Sequence, residues 1–365
     1  MTLTTEDQAR QLRILLADRL EATGHLPDPE WRRAFEAVPR HAFVPKFWTL
    51  VDGHMRQITA GDPEWLETAY QDSALATQLT DGVATSSSTA PSLMLDMLHA
   101  LDVADGMRVL EIATGTGYNA ALLAERLGSG NVVTVEVDPD LAWLAEVRLH
   151  TCGYAPTVLA GDGRAGQAGA PFDRLIATCG FSRVPRAWLG QVRPGGVIVC
   201  PVGWGIVRLI VSGDGATEGR FLPTGSYFMA VRDAGATGTA THPGRPNGAE
   251  QRLVTLDLGA VAGDERFRFL ISLVAPNISL STERDETGVF TAVELWAADG
   301  SWARVEHGTA WQAGPRRLWD VVETAHEVYE QHGRPGRERF GMTVTPDIQE
   351  VWLDSPDGPC WVLSS

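Results

Sequence analysis

Lysine is almost absent from this chain of 365 residues, because Lys46 is the only one and arginine supplies the other basic side chains. Acidic side chains outnumber basic ones by 46 to 30, which gives a formal net charge of −16. Proteins that bind nucleic acid normally present a basic surface to the phosphate backbone. The composition therefore argues against a nucleic-acid partner.

Paired cysteines are missing as well. The chain has no Cys-x-x-Cys motif and no histidine at ligand spacing from a cysteine; its four cysteines are Cys152, Cys179, Cys200 and Cys360. We therefore expect neither a disulfide framework nor a metal site, and we interpret the four thiols as buried apolar groups.

Targeting and membrane-spanning patterns are also lacking. The N-terminal residues do not show a basic region followed by an apolar one, as a signal peptide would. No uninterrupted apolar run is long enough to cross a bilayer. We predict a soluble, cytoplasmic protein with no membrane partner.

The N-terminal part of the chain predicts two helices followed by an irregular segment. Thr4 and Thr5 precede an amphipathic helix that ends near Gly24, and Asp28 opens a second helix that Pro39 closes. The stretch from about 47 to 68 is rich in aromatic residues and without clear periodicity. We interpret it as a cover over a neighbouring cleft.

From about Leu93 onward, amphipathic helices alternate with short apolar strands. The predicted strands are 107–112, 132–137, 158–160, 172–178 and 197–201, with helices between them. Strands and helices that alternate at this interval predict an α/β fold with a parallel, doubly wound sheet.

A Gly- and Pro-rich stretch without periodicity, residues 233–250, predicts a linker or long loop. Beyond it, strand patterns at 253–258, 289–296, 342–345, 350–353 and 360–363 surround helices near 265–274 and 316–331. We therefore predict an N-terminal region (1–80), a core domain (81–232), the linker (233–250) and a small C-terminal α+β domain (251–365).

A glycine-containing loop follows the first predicted strand of the core. Gly115 and Gly117 allow the backbone to approach a ligand closely at the carboxyl end of that strand. Nicotinamide and flavin proteins use similar loops, but their motif continues to a third glycine, whereas Asn119 and Ala120 follow Gly117 here. This difference favours S-adenosyl-L-methionine as the ligand.

Acidic residues end the next two strands. Glu136 is placed where a carboxylate accepts both ribose hydroxyls of an adenosine; the alternative is a strand-end acid that faces water. Asp162 and Gly163 lie in a short loop suited to the adenine amino group. The predicted cofactor-binding residues are Glu111, Ala113, Thr114, Gly115, Gly117, Tyr118, Glu136, Val137, Asp162 and Gly163.

These motifs resemble the protein-L-isoaspartate O-methyltransferase family over roughly residues 28–232. The matching segments are Ala34 to Arg40 with Phe43-Val44-Pro45, Ala69 to Asp72, Val109 to Ala124, Gly161 to Arg164, Ala170 to Arg174, and Pro194 to Gly203. The resemblance implies a class I, Rossmann-like S-adenosylmethionine methyltransferase fold that acts on a peptide or protein carboxylate and leaves S-adenosyl-L-homocysteine as product.

The family places a serine beside the transferred methyl, in a Thr-Ile-Ser-Ala-Pro-His segment. Here Thr89 stands in place of that serine, Ser88 in place of the isoleucine and Ser92 in place of the histidine, while Ala113 replaces the first glycine of the cofactor loop. The resemblance thus implies Thr89 and Ser88 as catalytic residues. The alternative is that the hydroxyls of this loop only stabilise a turn or a helix cap. These departures put the ordinary isoaspartyl substrate in doubt.

The chain continues for more than a hundred residues past the end of a plain repair enzyme of this family. Together with the 47–68 segment, this resembles the subset that tailors ribosomally made peptides (lanthipeptides and graspetides), which implies methylation of an aspartate in a macrocyclised precursor and closure to a succinimide (aspartimide). Trp296, Trp302, Trp311 and Trp319 suggest peptide recognition by the C-terminal part, or simply a core. The alternatives are a general isoaspartyl repair methyltransferase, a non-catalytic cofactor-binding scaffold, or an enzyme with a small-molecule acceptor.

Overall fold

The structure, a computed structural model, describes residues 4–51, 54–231, 242 and 244–363. Its N-terminal part combines helices with a small antiparallel sheet. The elements are α1 (Thr5–Ala22), α2 (Pro29–Ala37), α3 (Arg40–Phe43), β1 (Lys46–Val51), β2 (His54–Thr59), α4 (Trp65–Ala69), β3 (Leu75–Thr80) and β4 (Val83–Ser88). Helix α1 begins with a capping box, in which Thr4 and Asp7 each bond the other's backbone N–H.

The central part contains alternating strands and helices. The elements are α5 (Pro91–Leu101), β5 (Val109–Ile112), α6 (Tyr118–Leu127), β6 (Val132–Glu136), α7 (Pro139–Thr151), β7 (Thr157–Ala160), β8 (Phe172–Ala177), β9 (Val192–Val202), β10 (Gly205–Val211) and β11 (Thr217–Gly225). Asp138 caps α7 by accepting from two backbone N–H groups, and Pro139 occupies its first turn.

The C-terminal part mixes helices with two sets of strands. The elements are β12 (Glu250–Leu253), α8 (Leu258–Ala262), α9 (Glu265–Val274), β13 (Ile278–Arg284), β14 (Phe290–Ala297), β15 (Trp302–Glu306), β16 (Thr309–Ala313), α10 (Leu318–Gln331), β17 (Phe340–Val344), β18 (Gln349–Leu353) and β19 (Cys360–Val362).

A sheet of ten strands forms the centre, in the order β19-β18-β17-β11-β10-β9-β8-β5-β6-β7. Strands β5 to β9 pair in parallel, and the remaining pairs are antiparallel. The chain builds outward from β5 through β6 to β7, and then returns to place β8 on the other side of β5. Such a reversal opens a crevice at the carboxyl ends of the strands, where α/β proteins bind their ligands.

Both faces of this sheet are buried. Alternate residues of one strand join different core clusters: Ile198 packs with α9 and α10, whereas Val199 packs with α1, α2, α5 and α6. Strands that are covered on both faces are typical of the parallel part of α/β proteins. The α/β fold class with a parallel sheet is therefore confirmed.

Several predicted elements differ from those observed. The described residues within 47–68 are not irregular throughout, because 47–51 and 54–59 belong to the paired strands β1 and β2, and α4 begins at Trp65. The predicted strand 253–258 is wrong, since β12 ends at Leu253 and a helix begins at Leu258. Strands β13, β15 and β16 were not predicted; they join β12 and β14 in a five-stranded antiparallel sheet.

The C-terminal strands do not all belong to a sheet of their own. β17 pairs antiparallel with β11, so β17, β18 and β19 extend the central sheet. The proposed domain boundaries at 80, 232 and 250 stay predictions; most of the predicted linker, 233–241 and 243, lies outside the described residues. The strand pairing nevertheless ties the end of the chain to its core.

The cysteine prediction is correct for one residue and wrong for another. Cys200 is fully buried, but Cys360 is exposed on β19, which forms an edge of the central sheet. Two of the four C-terminal tryptophans, Trp302 and Trp319, are completely buried, so the simple core interpretation holds for them. Within the part of the chain that is described, no helix is both long and apolar enough to cross a membrane.

Candidate active site

The loop after β5 forms the floor of a cleft at the carboxyl ends of the central strands. Ala113, Gly115 and Gly117 all have positive φ, of 70°, 55° and 87°. The Ala113 N–H donates to the carbonyl of Val135 at 2.8 Å, and its carbonyl accepts from the Thr178 hydroxyl at 2.7 Å. These bonds hold the loop between β6 and the end of β8.

Ala113 adopts a backbone conformation that disfavours a side chain, because a Cβ in the left-handed region costs about 1 kcal/mol. We expect Ala113→Gly to stabilise the protein by about 0.5–1 kcal/mol, after allowance for the greater entropy that glycine has when unfolded. Urea unfolding measures this difference. Ala124→Gly in the middle of α6 is the control and should destabilise the protein. A loss of stability in Ala113→Gly would show that the backbone at Ala113 is not strained.

Glu136 ends β6 and turns its carboxylate toward the loop. Its Oε2 accepts from the Gly115 N–H at 2.9 Å, and its Oε1 accepts from the Asp138 N–H at 3.2 Å. Its side chain is only 4% exposed, so the alternative of a strand-end acid facing water is wrong. A buried carboxylate at the cleft suits charge-assisted hydrogen bonds to hydroxyl groups.

Glu111 lies beneath the same loop and is completely buried. Its Oε1 accepts from the Asn119 Nδ2 and its Oε2 from the Thr134 hydroxyl, both at 2.6 Å. Burial raises the pKa of Glu111 to about 7, although the bonds from Thr134 and Asn119 oppose this rise. Thr134 also shares a hydrogen bond of 2.7 Å with Thr114, so the carboxyl fixes the loop and the start of α6 together.

Because the pKa of Glu111 is raised, we predict that its contribution to the free energy of unfolding falls as the pH rises. The folded protein holds this proton more tightly than the unfolded chain, whose pKa is near 4.5, so the stabilisation is complete below about pH 4.5 and is lost as pH rises through about 7. We expect Glu111→Gln, which keeps the shape but cannot ionise, to lose this dependence, a difference of up to about 3 kcal/mol.

Urea unfolding of both proteins between pH 5 and pH 8 measures this effect. The wild type should lose stability relative to Glu111→Gln across that interval. Parallel curves for the two proteins would show that Glu111 remains ionised when folded.

The loop after β7 contributes Asp162 and Gly163. The Asp162 carboxylate accepts from the backbone N–H of Arg164 at 2.9 Å and pairs with its guanidinium, which lowers the pKa of Asp162. A Cβ on Gly163 would lie 2.5 Å from Cγ2 of Ile112, so glycine is required for this loop to pack on β5.

The segment that follows β4 forms the opposite wall of the cleft. The Ser88 side chain is 4% exposed, and its hydroxyl has no hydrogen-bond partner among the described residues. The Thr89 carbonyl accepts from the buried guanidinium of Arg40 at 3.2 Å. Arg40 donates also to the carbonyls of Ala69, Gln71 and Ser73, each at 2.9 Å. This arginine therefore fixes the position of Thr89.

A further wall was not predicted from the sequence. Residues Tyr227 to Val231 line the cleft after β11. Gly180 holds this segment, since its N–H donates to the Met229 carbonyl at 2.7 Å and its carbonyl accepts from the Val231 N–H at 2.8 Å. The segment carries no motif; its run of apolar and aromatic residues just before the Gly-rich stretch was the available signal.

The cleft brings eleven of the twelve predicted site residues together. These are Ser88, Thr89, Glu111, Ala113, Thr114, Gly115, Tyr118, Glu136, Val137, Asp162 and Gly163. Gly117 does not line it, because it turns the chain into α6 and packs against Ala145. None of the described residues within 47–68 lines the cleft, and the cover stays a prediction.

The sequence profile of the protein-L-isoaspartate(D-aspartate) O-methyltransferase family matches residues 13–221. The chain belongs to this family. The protein-L-isoaspartate O-methyltransferase of Methanosarcina mazei is 36% identical over 201 residues, which cover 54% of this chain and 73% of that relative. The enzyme of the same name from Ignicoccus hospitalis is 36% identical over 190 residues, covering 51% of this chain and 80% of the relative.

The fold agrees with this membership. A solved protein-L-isoaspartate O-methyltransferase superposes with a TM-score of 0.56 and 21% identity, covering 94% of this chain and all of the other. The protein is thus a class I methyltransferase that transfers a methyl group from S-adenosyl-L-methionine to a carboxylate. This activity excludes the non-catalytic scaffold.

The cleft has the features that such a cofactor requires. Two residues of the lining, Ser88 and Tyr118, have buried hydroxyls without a hydrogen-bond partner among the residues described. At Gly115 a Cβ would be in ordinary contact with the Ser87 carbonyl at 3.7 Å, so glycine is favoured there by the positive φ of 55° and not by lack of space.

Proposed function

We propose that this methyltransferase esterifies the side-chain carboxylate of an aspartate in a ribosomally made, macrocyclised precursor peptide, and that the ester then closes to a succinimide. The observation that carries the proposal is the wall Tyr227 to Val231, which lines the cleft although the family match ends at residue 221. Residues beyond the segment matched by the family profile therefore line this cleft, which supports an acceptor different from a plain isoaspartyl chain.

We also assign the cofactor contacts in this proposal. With S-adenosyl-L-methionine bound, Glu136 would accept hydrogen bonds from the ribose hydroxyls, Asp162 would accept one from the adenine amino group, and the loop from Ala113 to Gly115 would line the same site. Glu111 acts from below, since its bonds to Asn119 and Thr134 hold that loop in shape. The bound cofactor supplies an activated methyl group on a sulfonium.

The transfer itself needs little from the protein beyond position. A carboxylate oxygen of the acceptor forms a bond to the methyl carbon, the carbon–sulfur bond breaks, and its electron pair stays on sulfur. No general base is required, because the carboxylate is already ionised at neutral pH. The Thr89 and Ser88 hydroxyls donate to the non-reacting oxygen and align the acceptor. Neutral donors avoid over-stabilising the anion that the reaction consumes.

Ring closure follows without a protein group. The backbone nitrogen next to the ester attacks its carbonyl, methoxide leaves, and the nitrogen's proton ends on methanol. The constrained peptide supplies the proximity that this step requires.

The assignment of Ser88 and Thr89 predicts a loss of turnover with the cofactor site intact. In a Ser88→Ala/Thr89→Ala variant we expect kcat to fall by about 10- to 100-fold, because two orienting hydrogen bonds are lost. The dissociation constant for S-adenosylhomocysteine should stay within a few-fold of wild type. Full turnover by the variant would show that this segment does not position the acceptor.

The substrate class is tested by intact mass. The full chain is incubated with the methyl donor and either a cyclised precursor peptide that contains aspartate or a short linear isoaspartyl peptide. We expect the cyclic peptide to gain one methyl group and then lose methanol, and the linear peptide to react poorly. Preferential methylation of the linear peptide would contradict the proposal.

The second candidate is general repair of isoaspartyl proteins. It is favoured by the relatives that share 36% identity and carry the name of that activity. The same pair of substrates distinguishes the two functions, because a repair enzyme accepts short linear isoaspartyl sequences. A cytoplasmic location remains a prediction under either function.

A further inference from the structure

Three side chains from distant parts of the chain meet at the edge of the cleft. The guanidinium of Arg268 lies 5.3 Å from the ring centres of both Trp204 and Tyr227, and the two rings are 5.6 Å apart. Tyr227 also lines the cleft and is 51% exposed. Helix α9, beyond the region that matches the family, thus brings a positive charge to the mouth of the active site.

The backbone around these rings is held firmly. The Trp204 N–H donates to the Ser272 hydroxyl at 2.8 Å, and the Trp204 carbonyl accepts from the Ser226 N–H at 3.3 Å. Since Ser272 and Arg268 belong to the same helix, α9 is anchored to both aromatic segments. The backbone that carries Arg268 is therefore positioned beside the two rings before any ligand arrives, which lowers the entropic cost of binding.

Arg268 is not neutralised within the part of the chain that is described. Its side chain makes neither a salt bridge nor a hydrogen bond there, and its Nε is buried without a partner. Some other arginines of the C-terminal part are paired with acids: Arg252 contacts Asp320 and Glu323, and Arg304 contacts three glutamates. Arg268 thus places a positive charge without a described acidic partner beside the cleft of a chain whose net charge is −16.

We propose that Arg268 binds a second, non-reacting carboxylate of the peptide substrate, next to the carboxylate that receives the methyl group. This inference rests on the proposed function in so far as the substrate is a peptide. A planar guanidinium can donate two parallel hydrogen bonds to a carboxylate, and no hydrogen bond or salt bridge from the described residues occupies the Nη groups of Arg268.

The reacting carboxylate is a poorer partner for Arg268. A tight ion pair stabilises the anionic ground state more than the less charged transition state and so slows transfer. A cation fixed at the mouth also offsets the repulsion that an acidic peptide meets from a protein of strongly negative charge. The substrate class assigned is therefore a peptide in which another acidic residue accompanies the methylated one.

The test measures binding rather than turnover. A set of cyclic peptides contains one aspartate and one glutamate, and the position of the glutamate in the ring differs from peptide to peptide. Each is compared with the peptide that has glutamine at the same position, by titration into the full chain saturated with S-adenosylhomocysteine. We expect wild type to bind the best glutamate peptide about ten-fold more tightly than its glutamine counterpart. Arg268→Met should lose this preference and bind the glutamine peptide as wild type does.

Arg266→Met is the matched control, because it removes an equal charge from an exposed position of the same helix. It should keep the preference, and Arg268→Lys should retain only part of it. The inference is overturned if wild type shows no preference or no binding, or if Arg266→Met loses the preference equally. A preserved preference without methylation of the cyclic peptides would instead contradict the proposed function alone.

Discussion

Replacement of Glu136 by alanine is expected to weaken the binding of S-adenosylhomocysteine by about a hundred-fold, because two charge-assisted hydrogen bonds of about 1.5 kcal/mol each would be lost. The carboxylate is 4% exposed, so water does not substitute for it easily. Its loss also removes the acceptor of the Gly115 N–H and loosens the loop beneath the cofactor. Isothermal titration of the purified variant measures the change.

Two further variants isolate the role of this carboxylate. Glu136→Gln keeps the shape and can still accept from Gly115, but its amide group then faces the Asp138 N–H, so an intermediate loss of affinity is expected. Glu146→Ala, which removes an exposed acid from α7, should leave the affinity unchanged. An affinity of Glu136→Ala within two-fold of wild type would show that the nucleoside lies elsewhere.

The helices were the elements best predicted from the sequence, since their ends carry local signals. Asp28 with Pro29 marks the start of α2, and α9 was predicted at its observed bounds, Glu265–Val274. Capping residues act within one turn of the helix end, so a single sequence contains the information.

The strands of the N-terminal hairpin lack such a signal. His54, Met55, Arg56 and Gln57 in β2 are all exposed and only Ile58 is buried, so this edge strand shows no alternation of polar and apolar residues. The hairpin is therefore determined by pairing with β1, which the local sequence does not reveal.

The place of β17 in the central sheet has a similar cause. Its pattern predicted a strand correctly, but pairing with β11 joins residues more than a hundred positions apart. Which sheet a strand enters depends on the burial of the whole assembly, because many strands offer an equivalent edge. The predicted separation of a C-terminal domain came from the Gly-rich stretch alone.

The cofactor side of the cleft was predictable for a topological reason. Loops after successive parallel strands meet at one edge of the sheet, so motifs at 111–118, 136–137 and 162–163 converge without knowledge of coordinates. No comparable rule predicts from the sequence that Arg268 lies beside Tyr227. Their contact depends on how α9 packs on the turn that contains Trp204, which is a tertiary property.

Arg40 shows how a buried residue outside the cleft lining positions the site. Its guanidinium is fully buried and donates to four carbonyls, those of Ala69, Gln71, Ser73 and Thr89. Burial lowers the pKa of Arg40 to about 10, which still leaves the side chain charged at neutral pH. The carbonyl oxygens stabilise the buried guanidinium. The guanidinium thereby holds the loop after α4 against the segment that contains Thr89.

We expect Arg40→Met to destabilise the protein by about 4 kcal/mol, because hydrogen bonds from a charged group are lost and buried carbonyls remain unpaired. Arg32→Met is the control: Arg32 contacts Asp18, Glu21 and Glu36, but these acids are partly exposed, so its loss should cost about 1 kcal/mol or less. Urea unfolding measures both values. An equal cost for the two variants would mean that the carbonyls around Arg40 find other donors, and Thr89 would then keep its position without this arginine.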